Sequence, residues 1–130
     1  MEWVENSISF GDYEEDKKTS ETFIAGAHSK YYPGEWGNLL CLTRLKKRSS
    51  GEEKRKVFDE ICHHHSPVFR YFFIERYIHN LQLWHAAKMN FTQSVAMSSI
   101  VGHILGIGDR HCNNILIHEK TGKVVHIDFG

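Results

Sequence analysis

Two β-branched runs close the chain. Ile115-Leu116-Ile117-His118 and Lys123-Val124-Val125-His126-Ile127 flank the turn segment Glu119-Lys120-Thr121-Gly122. Apolar runs of this length around a glycine-bearing turn predict a β-hairpin over 115–127. The hairpin constrains everything else. If His118 pairs near Lys123, Asn114 lies beside Ile127, and neighbouring strands are only about 4.8 Å apart. Asn114 and Asp128 are therefore drawn together at the open end.

Helical periodicity fills most of what precedes it. Leu39 to Lys47 suits a short helix with basic residues at its end. Ser50-Gly51-Glu52-Glu53 is a capping-box pattern and predicts a helix from Glu52 to about His64, burying Val57, Phe58, Ile61 and Cys62. Ser66-Pro67 reads as an N-cap and first helical residue for a run holding Phe69, Phe72, Phe73 and Tyr77. A third segment spans about 81–88. Asn90 is placed to cap a fourth, with Met97, Ile100, Val101, Ile104 and Leu105 on one face and the small residues Ser98, Ser99, Gly102 and Gly106 on the other. Ser7 to Gly11 reads as a short extended piece, Asp12 to Glu21 as an exposed loop, and Phe23 to Trp36 as irregular. The fold class expected is α+β, mostly helical with a C-terminal hairpin.

Composition narrows the function classes. In 130 residues, 16 Lys+Arg balance 16 Asp+Glu. That argues against a polybasic nucleic-acid or membrane device, and the basic run Arg44 to Arg48 is offset by acidic residues at 12–16. The opening Met1-Glu2-Trp3-Val4-Glu5 is acidic, not signal-like. Cys41, Cys62 and Cys112 have no framework spacing and read as free thiols. Cys62-His63-His64-His65 invites a zinc reading. Adjacent helical residues point about 100° apart, however, so three in a row cannot face one ion; a solvated helix end is expected.

The chemistry concentrates after Gly106. The loop Gly106-Ile107-Gly108-Asp109-Arg110-His111-Cys112-Asn113-Asn114 precedes the hairpin, and Asp128-Phe129-Gly130 follows it. Asn114 and Asp128 are hard oxygen donors suited to Mg²⁺ with phosphate and water. Asp109 is placed to orient a hydroxyl nucleophile and take its proton, with His111 between. Together they suit metal-dependent phosphoryl transfer.

Asp109-Arg110-His111-x-x-Asn114 followed by His126-Ile127-Asp128-Phe129-Gly130 resembles the phosphatidylinositol-3-kinase-like superfamily. The stretches Pro67 to Phe72 and Thr92 to Gly106 are similar to the ATM-like branch of the phosphatidylinositol-3-kinase-related protein kinases. So are Glu2-Trp3 and Gly26-Ala27-His28.

This resemblance implies a partial kinase catalytic domain. Residues 1–5 would form the hinge, 23–106 the C-lobe helices and 107–114 the catalytic loop. The hairpin would occupy 115–127, and 128–130 would begin the activation segment. Asp109 would be the catalytic base, His111 would stabilise the transferred phosphoryl, and Asn114 and Asp128 would bind Mg²⁺ or Mn²⁺. Trp3 would stack on adenine, Glu2 and Val4 would offer hinge backbone groups, and Leu116 and Ile127 would line the adenine floor.

ATP and protein substrates would be the partners. Phosphorylation of Ser or Thr before Gln in the nucleus is implied, within DNA-damage and telomere signalling, together with damage-sensor proteins and a homodimeric parent. The resemblance also places the phosphate-binding loop before residue 1 and the activation loop after residue 130. The isolated chain is thus expected to be inactive and to leave Met97, Ile100 and Val101 uncovered. A phosphoinositide kinase segment and a non-catalytic fragment are the rival readings.

Overall fold

The computed structural model describes residues 4–18 and 23–129. The predicted hinge residues Glu2 and Trp3 lie outside them. The expected hairpin forms from β4 (Ile115–His118) and β5 (Val124–His126). Its register pairs Ile115 with His126, Leu116 with Val125 and Ile117 with Val124. His118 N–H donates to the Lys123 carbonyl at 2.8 Å, and Ile127 N–H to the Asn114 carbonyl at 3.0 Å. Both pairings are those the turn position predicts. The extended piece β1 (Ser7–Ser9) joins as a third antiparallel strand, giving the order β1-β4-β5.

One face of this sheet enters the core. Ile117 is fully buried and Val124 nearly so. Ile8 opposite Ile117 packs against the same cluster, which holds Val68, Phe72, Phe73, Tyr77 and Ala87. Phe69 carries much of the aromatic packing, with ring centroids 4.6 Å from Phe10 and 5.2 Å from Phe91. These residues come from α5 (Arg70–Tyr77), the turn before it, and α6 (Leu81–Leu105).

Several elements depart from the sequence reading. The two segments divided at Asn90 are one 25-residue helix, α6. Asn80 caps it, accepting from Gln82 N–H and Leu83 N–H at 3.1 Å. It ends at Gly106, whose φ of 64° is the left-handed stop glycine provides without steric cost. Asn90 does not cap. Its amide donates to the Thr121 carbonyl at 2.9 Å, and Ser94 Oγ accepts from Val124 N–H at 2.9 Å. Polar residues inside the helix thus bind the hairpin edge. Gly122, at φ 74°, closes the same contact, since a Cβ there would lie 2.7 Å from the Ala87 carbonyl.

Residues 12–18 are not simply a loop, and 19–21 of the expected loop lie outside the described residues. Helix α1 (Phe10–Glu14) starts at Ser9, whose hydroxyl accepts from Asp12 N–H at 3.0 Å. Tyr13 is buried, and β2 (Lys17–Lys18) pairs with β3 (Phe23–Ile24). The stretch read as irregular contains α2 (Ala27–Tyr31). The short helix expected at 39–47 is α3 (Asn38–Lys46).

Ser50 caps α4 (Gly51–His64) as the capping box predicts, accepting from Glu53 N–H at 3.2 Å. Only Val57 is buried in α4, while Phe58 is 56% exposed and Cys62 is exposed. One narrow stripe meets the short α3, so apolar neighbours a helical step away stay in solvent. Ser66 and Pro67 do not begin α5. Both the Ser66 amide and hydroxyl donate to the Glu35 carboxylate, and the helix starts three residues later. Met97, Ile100, Val101, Ile104 and Leu105 are all exposed. No helix among the described residues is long and apolar enough to cross a membrane.

The three histidines closing α4 take three different partners. His63 Nδ1 meets the Asp59 carbonyl, His64 stacks on Trp36, and His65 stacks on His28 at 3.8 Å. His28 Nδ1 is buried without a hydrogen-bond partner among the described residues, with Glu35 at 3.9 Å. Burial and the facing His65 hold His28 below the ordinary histidine value of 6.5, against the pull of Glu35. A depressed folded value leaves this junction at full strength above pH 6.5, weakening as pH falls, because the unfolded chain takes up the proton first. Hydrogen exchange over 26–31 and 64–66, corrected for intrinsic rate, should quicken between about pH 7.5 and 5.5. His28→Gln should remove that change; protection independent of pH would contradict this account.

Candidate active site

The loop from Ile107 to Asn114 is short and held by hydrogen bonds both within itself and to the end of α6 and the residues after β5. Gly106 turns the chain out of α6, and Asp109 follows at φ 51°. His111 caps a single 3₁₀ turn, Cys112–Asn114, with Asn114 N–H donating to the His111 carbonyl at 2.9 Å. The His111 Nδ1 accepts from Asn113 N–H at 3.3 Å. An imidazole accepting at Nδ1 carries its proton on Nε2 when neutral, so Nε2–H is the donor left for a ligand. The turn rests on α1, where a Cβ at Gly11 would fall 2.0 Å from Asn113 Oδ1.

Asn114 is the buried member of the set, at 6% exposure. Its Nδ2 donates to the Asp109 carbonyl at 3.0 Å, which orients the amide and leaves Oδ1 as its acceptor end. Its own carbonyl accepts from Ile127 N–H. Asp128 follows immediately, at φ 55°. Arg110 ties the two sides together: Nε donates to the Gly108 carbonyl at 2.7 Å, one terminal nitrogen to the Ile127 carbonyl at 2.7 Å, and the other to the Asp128 carbonyl. The backbones bearing Asp109, His111, Asn114 and Asp128 thus form one hydrogen-bonded knot at the open end of the hairpin, in which the Asn114–Ile127 bond is the part the register predicts. Asp109, His111 and Asp128 are exposed. Neither aspartate forms an ion pair among the described residues.

These residues fit a magnesium ion on their chemistry. Asp128 offers an unpaired carboxylate, and Asn114 offers an amide oxygen whose nitrogen is already committed, both hard donors. The remaining predicted residues fall nearby. Leu116 is 9% exposed and Ile127 half-buried. Leu116 pairs with Val125, and the two-residue period puts Ile127 on the same face, opposite the core face of Ile117 and Val124. Val4 is half-buried, and its carbonyl already accepts from Ser7 Oγ at 2.6 Å.

A cleft of about 290 Å³ lies beside the loop, lined by residues including Met97, Val101, Ile107, His126 and Phe129. None of the four predicted catalytic or metal residues lines it. Burial, then the charge of Arg110, lowers the His126 pKa, which favours the neutral ring there. Cys112, next to His111, has its thiol raised by burial and by Glu14 and Glu15, which disfavours a reactive thiolate. Arg110 is the residue the sequence reading left without a role. Its signal was position alone: a guanidinium between Asp109 and His111 in a loop of mostly small or polar residues.

A model of the family described as phosphatidylinositol 3- and 4-kinase matches residues 1–130. Among curated proteins, the serine/threonine-protein kinase tel1 of Schizosaccharomyces pombe is 40% identical over 132 residues, which cover 100% of this chain and 4% of that relative. The serine/threonine-protein kinase ATM of Arabidopsis thaliana is 42% identical over 130 residues, covering 100% of this chain and 3% of its own length. Of the solved structures, the FAT and kinase domain of CtTel1 superposes with a TM-score of 0.86 at 34% identity, covering 98% of this chain and 8% of that one. The complete CtTel1 dimer with C2 symmetry gives the same TM-score of 0.86 and is covered to 4%. The chain therefore spans only a few per cent of the relatives it matches.

Proposed function

This chain belongs to the phosphatidylinositol 3- and 4-kinase family, and from that premise we propose that it is the hinge-to-metal-turn segment of an ATM-like serine/threonine protein kinase. The observation that carries the proposal is the knot at the hairpin's open end, where Asn114 bonds the backbone of Asp109 on one side and of Ile127 on the other. One residue thereby spaces the nucleophile-orienting carboxylate from the metal-binding one.

The roles follow from that spacing. Asp109 accepts the proton of the substrate hydroxyl and aligns it. His111 donates from Nε2 to the transferred phosphoryl as charge grows on it. Asn114 and Asp128 would hold Mg²⁺ or Mn²⁺, which when bound would neutralise phosphate charge. Leu116 and Ile127 form the floor for adenine, with Trp3 stacking on it and the backbones of Glu2 and Val4 completing the hinge. ATP is the donor, and Ser or Thr followed by Gln is the acceptor. We propose that this kinase acts in the nucleus, in DNA-damage and telomere signalling with damage-sensor partners; the tel1 and ATM names of the relatives fit the signalling role, and the C2-symmetric CtTel1 dimer fits a homodimer.

The purified kinase containing this segment, given ATP and Mg²⁺, should phosphorylate a Ser-Gln peptide and leave the matching Ala-Gln peptide and phosphatidylinositol vesicles unlabelled. Label in the lipid with none in the peptide would contradict the protein-kinase assignment.

A further inference from the structure

Arg110 makes three hydrogen bonds, all to backbone carbonyls, from two segments far apart in sequence: Gly108 on one side, Ile127 and Asp128 on the other. A planar guanidinium presents its N–H groups in a fixed fork, so three carbonyls held at once fix the segments relative to each other. The gripped positions matter. Gly108 immediately precedes Asp109, and the third carbonyl belongs to Asp128 itself. Both aspartates have left-handed backbones, with φ 51° and 55°. Aspartate visits that conformation more readily than most non-glycine residues but at a cost, so two such residues side by side in the fold call for contacts that hold them there. The guanidinium carbon also lies 5.5 Å from the Phe129 ring centroid, so the contact extends one residue further. No carboxylate pairs with Arg110 among the described residues, which makes it a backbone clamp rather than half of an ion pair.

We propose that Arg110 is the positioning residue of this site: it sets the distance between Asp109 and Asp128 and holds both in their left-handed conformations. The proposal rests on the kinase reading above for the roles of the two aspartates, but the clamp itself is a property of the fold. Lysine replaces it poorly, because its three donors radiate from one nitrogen and do not reproduce a planar fork that bonds from three separate nitrogens.

The test uses Arg110→Lys in the full kinase and two readouts. Without nucleotide or metal, hydrogen exchange over 107–114 and 124–129 should rise about tenfold while α6 and α5 keep wild-type protection. In equilibrium nucleotide binding, the Mg²⁺ concentration giving half of the metal-dependent gain in affinity should rise about 10- to 100-fold, the range seen when the support of a metal ligand is removed. If the lysine variant unfolds, Arg110→Gln, a planar uncharged amide, decides: localised loosening supports the clamp, and loosening spread evenly along the chain overturns it. Wild-type exchange over 124–129, or an unchanged Mg²⁺ requirement, also overturns it. A wild-type kinase that shows no Mg²⁺ effect on nucleotide binding would sink the kinase reading instead, while the exchange result would still judge the clamp.

Discussion

Asp109→Asn in the kinase containing this segment should lower kcat by about 10²- to 10⁴-fold, the contribution of a positioned general base. Affinity for Mg²⁺-bound nucleotide should change little. In the proposed role the Asp109 side chain meets the acceptor hydroxyl, and an interaction made mainly in the transition state shows in kcat rather than in ground-state binding. Asparagine is the cleaner substitution because Asp109 sits at φ 51°. Asparagine tolerates that conformation, whereas alanine adds a backbone cost of about 1–2 kcal/mol that would blur the result. Single-turnover transfer to a Ser-Gln peptide, beside equilibrium nucleotide binding, separates the two effects. A variant that turns over within about tenfold of wild type would remove Asp109 from the chemistry.

Asp128→Asn should be as damaging to turnover but for another reason. It removes a charged oxygen donor, and a metal contact on phosphate oxygens supplies several kcal/mol. Nucleotide affinity measured with Mg²⁺ should therefore fall on the order of 10²-fold or more, while affinity measured in chelator stays close to wild type. Arg110 bonds the Asp128 carbonyl, not its carboxylate. Asparagine, which also tolerates φ 55°, should thus leave the clamp in place. Unchanged exchange protection over 124–129 would verify that the loss is chemical and not structural.

The hairpin was legible because two local signals agreed: β-branched runs and a turn of fixed length leave only one register with both apolar faces satisfied. That register, once chosen, also put Asn114 beside Ile127, and the structure has that bond. The capping box at Ser50 was legible for the same reason, being a pattern complete within four residues. Asn90 misled because asparagine favours caps, and nothing nearby in sequence reveals that its amide serves Thr121, 31 positions away. Ser66 misled in the same way, its hydrogen bonds being claimed by Glu35.

The small helix α1 was lost in a polar stretch. What fixes it is the Ser9 cap and the close seat of Gly11 against Asn113, and only the first of these is local. At the site, residue types and spacing single out Asp109, Asn114 and Asp128 as candidates with His111 between them, and the structure joins their backbones at the hairpin's open end. The role of Arg110 was not legible, because bonds to main-chain carbonyls across the fold leave no pattern in side-chain identity.

The central claim is that Asp128 binds metal and Asp109 does not. Nucleotide affinity should be measured with and without Mg²⁺ for wild type, Asp109→Asn and Asp128→Asn in one series. Mg²⁺ should strengthen binding equally for wild type and Asp109→Asn, and Asp128→Asn should lose this strengthening. If Asp109→Asn loses it as severely as Asp128→Asn, then Asp109 is a metal ligand and the division of roles is wrong.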